Sequence, residues 1–135
     1  MVDALRRAQR VVSPEGSVVD LHPSPARATV GIGEAITGLV DEVDAPLRHA
    51  GAGVALAAVI DAGLFAIDRS LVFGFHTYGD TIEELQEFVR QHWREGRISD
   101  ETVARTRAAA RRHAASRPWV RERVYATRLR PCHFC

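Results

Sequence analysis

The sequence predicts an α/β protein folded as one domain. Three observations carry that expectation. Segments with the apolar period of a helix alternate with segments that have the period of a strand. The runs Ser17–Leu21 and Leu71–Tyr78 are rich in the β-branched and aromatic residues that strands favour. A chain of 135 residues that is 46% hydrophobic has enough apolar material for one modest core.

Charge says little about a partner when taken as a sum, since the formal net charge is +1. Its distribution is uneven. Residues 1–89 carry six Arg against thirteen acids, and residues 90–135 carry twelve Arg against four acids; every basic residue is Arg. Val2–Val12 has Arg6, Arg7 and Arg10 where a signal peptide needs an apolar core. The longest apolar run, Gly51–Ile60, is too short to cross a bilayer. Cys132 and Cys135 stand together at the end of the chain, so no disulfide framework is expected. These features predict a soluble, cytoplasmic protein.

Taken in order, Val2–Val12 reads as an amphipathic helix with Leu5, Ala8 and Val12 on one side. Pro14 ends it, and Pro14-Glu15-Gly16 forms a turn. Ser17–Leu21 is a compact apolar strand of the kind found in a buried parallel sheet. Pro23 and Pro25 mark a loop. Ala28–Ile32 and Ala35–Val40, separated by Gly33-Glu34, predict a β-hairpin. Asp41, Glu42 and Asp44 then precede a helix over Ala45–Phe65, with Pro46 in its first turn. Its middle, Val54–Ile60, is apolar on nearly every side and is expected to be buried, with Gly51 and Gly53 allowing close packing.

Leu71–Tyr78 carries apolar residues on both faces and is expected inside a sheet. Asp80 and Glu83 suggest a capping box for a helix whose face is Ile82, Leu85, Phe88, Val89, His92 and Trp93, with Gly96 as its stop. Ser99 caps the next helix, whose acidic start and basic end suit the helix dipole. Its thin apolar side predicts a surface position. Pro118 ends that segment, and Trp119–Leu129 is the last strand. The domain is expected to span residues 1–130, with 131–135 as a frayed tail.

The order of elements and the Val11-Val12-Ser13-Pro14-Glu15-Gly16 turn carry a resemblance. The chain resembles the C-terminal half of a class I S-adenosylmethionine-dependent methyltransferase, in which a helix leads through a proline-glycine turn into the fifth strand. Glu15 stands where that family has its first glycine. The resemblance implies a partial Rossmann-like methyltransferase sheet, with Leu71–Tyr78 and Trp119–Leu129 as the sixth and seventh strands and two helices inserted between them. It implies a side-by-side order of fifth, seventh and sixth strands. It also implies S-adenosylmethionine as the parent cofactor and methyl transfer to a small-molecule acceptor. The glycine-rich loop and the ribose-binding acid of the cofactor half are missing, so the isolated chain is expected to be inactive. A homodimer or a partner chain would complete the sheet.

Candidate site residues follow from strand ends, where open α/β sheets bind ligands. Asp20, His22 and Pro23 close one strand, and His76 and Tyr78 close the next. His22 and His76 are the candidate catalytic bases, because imidazole titrates near neutrality. Asp20, Pro23 and Tyr78 are the candidate substrate contacts. The bland alternative is that these groups satisfy backbone and water. Gly31-Ile32-Gly33 is a poor phosphate cradle, lacking a third glycine. Cys132-His133-Phe134-Cys135 offers too few ligands for zinc, and no metal is expected. An arginine-rich face over Arg105–Arg130, including Arg111 and Arg112, is the competing reading: a noncatalytic module that holds nucleic acid. A solvated arginine face is the simpler account of it.

Overall fold

The computed structural model describes residues 1–43 and 45–132, without the side chains of Ala45 and Arg48. Asp44 of the acidic helix start, and His133, Phe134 and Cys135 of the tail motif, lie outside the described residues. The fold is mixed α/β with antiparallel pairing. The chain divides into two compact units. The first holds Met1–Pro25, Pro46–Phe73 and the described residues from Val124 onward; the second holds Ala26–Ala45 and Gly74–Arg123.

In the first unit, helix α1 (Val2–Val11) ends at an extended Val12, and the Gly16 amide closes the predicted turn on the Ser13 carbonyl at 2.9 Å. Strand β1 (Val18–Pro23) pairs antiparallel with the second half of strand β7 (Pro118–Pro131), Val18 opposite Leu129 and His22 opposite Tyr125. Strand β5 (Phe65–Tyr78) takes the other edge of β7. Its contacts run in the opposite sense along the two chains: the Cys132 amide donates to the Leu64 carbonyl at 3.0 Å, and Asp68 pairs with Arg128. β1 and β5 therefore run the same way on either side of β7. The buried parallel sheet expected for Ser17–Leu21 is thus corrected. Each strand's direct neighbour is antiparallel, because the long β7 lies between the two. Burial is corrected as well, since Val19 is 59% exposed and Leu21 61%: a short apolar run specifies neither direction nor burial.

Helix α2 (Ala45–Asp61) is shorter than expected, and Phe65 already belongs to β5. Leu5 of α1, Leu56 and Val59 of α2, Phe65 and Leu129 form the core of this unit. Only one side of α2 is buried. Val54 is 69% exposed and Leu47 76%, so the expectation of an all-round buried helix is corrected. Nothing lies within 4 Å of a Cβ built at Gly51 or Gly53, so neither glycine serves close packing. Pro131 belongs to β7 and the Cys132 amide is hydrogen-bonded, so the fraying expected from residue 131 is corrected for these two residues.

In the second unit, strands β2 (Thr29–Ile32) and β3 (Ala35–Leu39) form the predicted hairpin, turning at Gly33 with φ +55°. β2 pairs with the first half of β7, Gly31 opposite Trp119 and Val30 opposite Val120. Asp41–Glu42 (β4) and Gly96–Arg97 (β6) make a small separate ladder. The two expected helices do stand between β5 and β7 in the chain: α3 (Ile82–His92) and α4 (Asp100–Ala110). Val30, Val40, Val120, Ile82, Leu85, Val89 and Val103 form the core between these helices and the sheet.

The caps of these helices differ from the sequence reading in detail. Thr81, not Asp80, caps α3: its Oγ1 accepts from the Glu84 amide at 3.1 Å, while Glu84 Oε2 accepts from the Asp80 amide at 2.7 Å. α3 stops at Trp93, and the residue with left-handed geometry is Glu95 at φ +58°, where Gly96 was expected to serve. Ser99 caps α4 as predicted. α4 is not a purely surface helix, because it packs on β2 and β3 through buried Thr102, Val103 and Thr106. The Thr37 and Thr106 hydroxyls meet at 2.6 Å, and Thr106 donates onward to the Thr102 carbonyl at 2.8 Å. A chain of hydroxyls thus buries a face that looks too polar for a core.

Candidate functional site

The predicted site residues divide between the two units: Asp20, His22 and Pro23 in the first, His76 and Tyr78 in the second. On β1, Asp20 and His22 are two residues apart and share a face, as strand alternation requires. Asp20 Oδ2 lies 2.6 Å from His22 Nδ1, and His22 is only 9% exposed. An ionised carboxylate can only accept, so in this contact the ring donates through Nδ1 to Asp20. Tyr125 sits across the ladder with its ring centroid 5.6 Å from that of His22. Pro23 ends the strand opposite Val124 and is half-buried.

The second group is built on β5 and the first half of β7, on the open face away from α3 and α4. His76 stacks on Tyr78 two residues along β5, with centroids 5.8 Å apart and planes at 16°. His76 also meets the Trp119 ring edge-on at 5.6 Å. Arg121, two residues after Trp119 and so on the same face, places its guanidinium 5.2 Å from the centre of that ring. Trp119 is 5% exposed and donates its indole N–H to the Gly33 carbonyl at 3.0 Å, so the ring is fixed from below. Gly74 gives the arginine stem its room: a Cβ there would stand 3.1 Å from Arg121 Cδ.

These side chains border an open depression of about 690 Å³, whose rim includes Glu34, Ile36, Ser116 and Arg117. Arg117 pairs with Asp80 at 2.9 Å. Arg121 makes no ion pair among the described residues, and its charge is directed along the indole face.

Trp119 and Arg121 were not legible as site residues. Trp119 reads as a strand packing residue, and it does pack. The usable signal was the aromatic–Arg spacing of two on a strand, which sets the pair side by side. Among the described residues, five of the nine arginines from Arg105 to Arg130 face carboxylates. Arg105 pairs with Glu101, Arg107 with Glu83, and both Arg128 and Arg130 with Asp68. Glu83 is held below the ordinary glutamate range by a backbone hydrogen bond and then by Arg107.

Gly31-Ile32-Gly33 does not form a cradle for S-adenosylmethionine. It is the end of β2 and its turn, the Trp119 ring lies over Gly31, and the Gly33 carbonyl is taken by the indole N–H. Among the described residues no cluster of three His, Cys, Asp or Glu is arranged to hold a metal ion, and no helix is long and apolar enough to cross a membrane. No protein-family model, curated protein or solved structure matches the chain.

Proposed function

We propose that this chain is a ligand-binding protein, and that its site is the depression walled by Trp119, Arg121, His76 and Tyr78. The ligand class is a planar anion, such as an aromatic carboxylate. One observation carries the reading: the Arg121 guanidinium over the fixed Trp119 ring, bordered by a stacked His76–Tyr78 pair. A flat ring can stack against the exposed His76–Tyr78 pair while a carboxylate takes charge-assisted hydrogen bonds from the guanidinium. A guanidinium already held over a fixed, buried indole loses little entropy when it binds.

The test is a titration with salicylate followed by tryptophan fluorescence and by chemical shifts of the His76 ring. Saturable changes are expected, with Arg121→Gln weakening binding about 10-fold or more, the equivalent of roughly 1.4 kcal/mol. Salicylate and a set of larger aromatic carboxylates leaving both signals unmoved would sink the reading.

Methyl transfer to a small-molecule acceptor, with His22 or His76 as base, keeps one point of support: β7 lies between β1 and β5, the order implied by the resemblance for the last three strands. Calorimetric titration with S-adenosylmethionine separates the two readings. Micromolar binding by this chain would favour methyl transfer. Nucleic acid is a weaker reading, because so many of the C-terminal arginines already face carboxylates.

A further inference from the structure

β5 breaks the rules by which soluble proteins protect a sheet edge. One of its edges is taken by β7, and among the described residues no strand pairs with the other. Every residue from Ala66 to His76 is exposed. The strand has no Pro and no Lys, and it carries one acid and one Arg, Asp68 and Arg69. Asp68 is turned to Arg128 and Arg130 and so does not guard the edge. Long, apolar, unguarded edges pair with other strands.

We infer that β5 pairs antiparallel with β5 of a second copy of this chain, around a two-fold axis at Leu71. One observation selects a second copy and another its register. The first is area. Ile67, Leu71, Val72, Phe73 and Phe75 are 40–54% exposed; for side chains of this size that leaves roughly 500 Å² of apolar surface. Specific interfaces bury about 800 Å² per partner, a little over half of it apolar. The strand therefore carries about the apolar share that one side of a dimer needs.

The second observation is charge. A two-fold axis normal to the sheet keeps each side chain on its own face, so a residue can only oppose one an even number of positions away. Centred on Leu71, the ladder sets Leu71 against its copy, Ile67 against Phe75, Arg69 against Phe73 and Asp68 against Gly74. No like charges meet, and each Arg69 gains an aromatic face. Centred on Arg69, the two guanidiniums would collide. The isologous contact closes at two copies and covers both edges.

Sedimentation equilibrium of the full chain tests this, together with Leu71→Lys, which sets two ammonium groups across the axis. The expected result is a dimer for the natural sequence. Leu71→Lys should raise its dissociation constant about 100-fold or more, with an unchanged circular dichroism spectrum. Should that variant misfold, Leu71→Cys in a Cys132→Ser, Cys135→Ser background decides, since the two thiols face each other and oxidation should give a covalent dimer. A monomer at every soluble concentration, open-ended assembly, or a dimer indifferent to Leu71→Lys that also fails to cross-link would each overturn the inference.

Discussion

The indole of Trp119 lies directly over Gly31, its partner across the ladder. A Cβ at Gly31 would fall 2.4 Å from Trp119 Cζ2 and 2.3 Å from the Ala35 carbonyl oxygen. Neither neighbour can yield cheaply, one being a ring wedged into the sheet and the other backbone. The absent side chain at Gly31 is therefore what seats the tryptophan on which the proposed site is built.

Gly31→Ala should accordingly destabilise the protein by about 1–3 kcal/mol, the usual cost of overpacking. Urea unfolding measures it. The variant should also shift the tryptophan emission of the folded state, because the ring must move. A loss below a few tenths of a kcal/mol with unchanged emission would show that the seat is not tight.

The glycines of α2 predict the opposite sign. Gly51 and Gly53 are exposed, have helical neighbours and no contact that a methyl group would disturb. Each Gly→Ala change there should stabilise by about 0.5–1 kcal/mol, by raising helix propensity and narrowing the unfolded ensemble. Thermal melts of the single and double variants check this, and a drop in melting temperature would mean that the helix packs against something in solution.

Glu122 predicts a pH dependence. Burial, and secondarily the Glu42 carboxylate, push its carboxyl above the usual 4.5. A raised value in the folded state means that the native protein holds this proton more tightly than the unfolded chain. The stability it contributes is fully present below about pH 4.5 and is lost as the pH rises through the folded value. Glu122→Gln should therefore flatten the fall in urea midpoint over that rise and leave the variant the more stable protein at neutral pH. Parallel pH profiles for the two proteins would refute the assignment.

Much of the local structure was legible in the sequence because it depends on neighbours in the chain. The Ser13–Gly16 turn, the hairpin at Gly33-Glu34, the Ser99 cap and the Ile82–Leu85–Val89 face all follow from spacings of two to four residues. What misled the reading was apolar character without a stated partner. Leu71–Phe75 and Val54–Ile60 look like buried segments, yet most of β5 and one side of α2 face outward. Conversely, Thr37 and Thr106 look like surface residues and are buried, because their hydroxyls find partners there.

The candidate sites divide the same way. Asp20 with His22 and His76 with Tyr78 are pairs two residues apart on one strand, and strand alternation alone set each pair on a shared face. The direction of the strands, the division into two units, and the meeting of Trp119 with Gly31, Arg121 and His76 were decided by tertiary structure. The ladder between β2 and β7 joins residues more than eighty positions apart, and no local preference specifies which strand lies beside which. Sequence determined where the elements form and which residues share a face; pairing across the sheet decided which faces became core, edge or site.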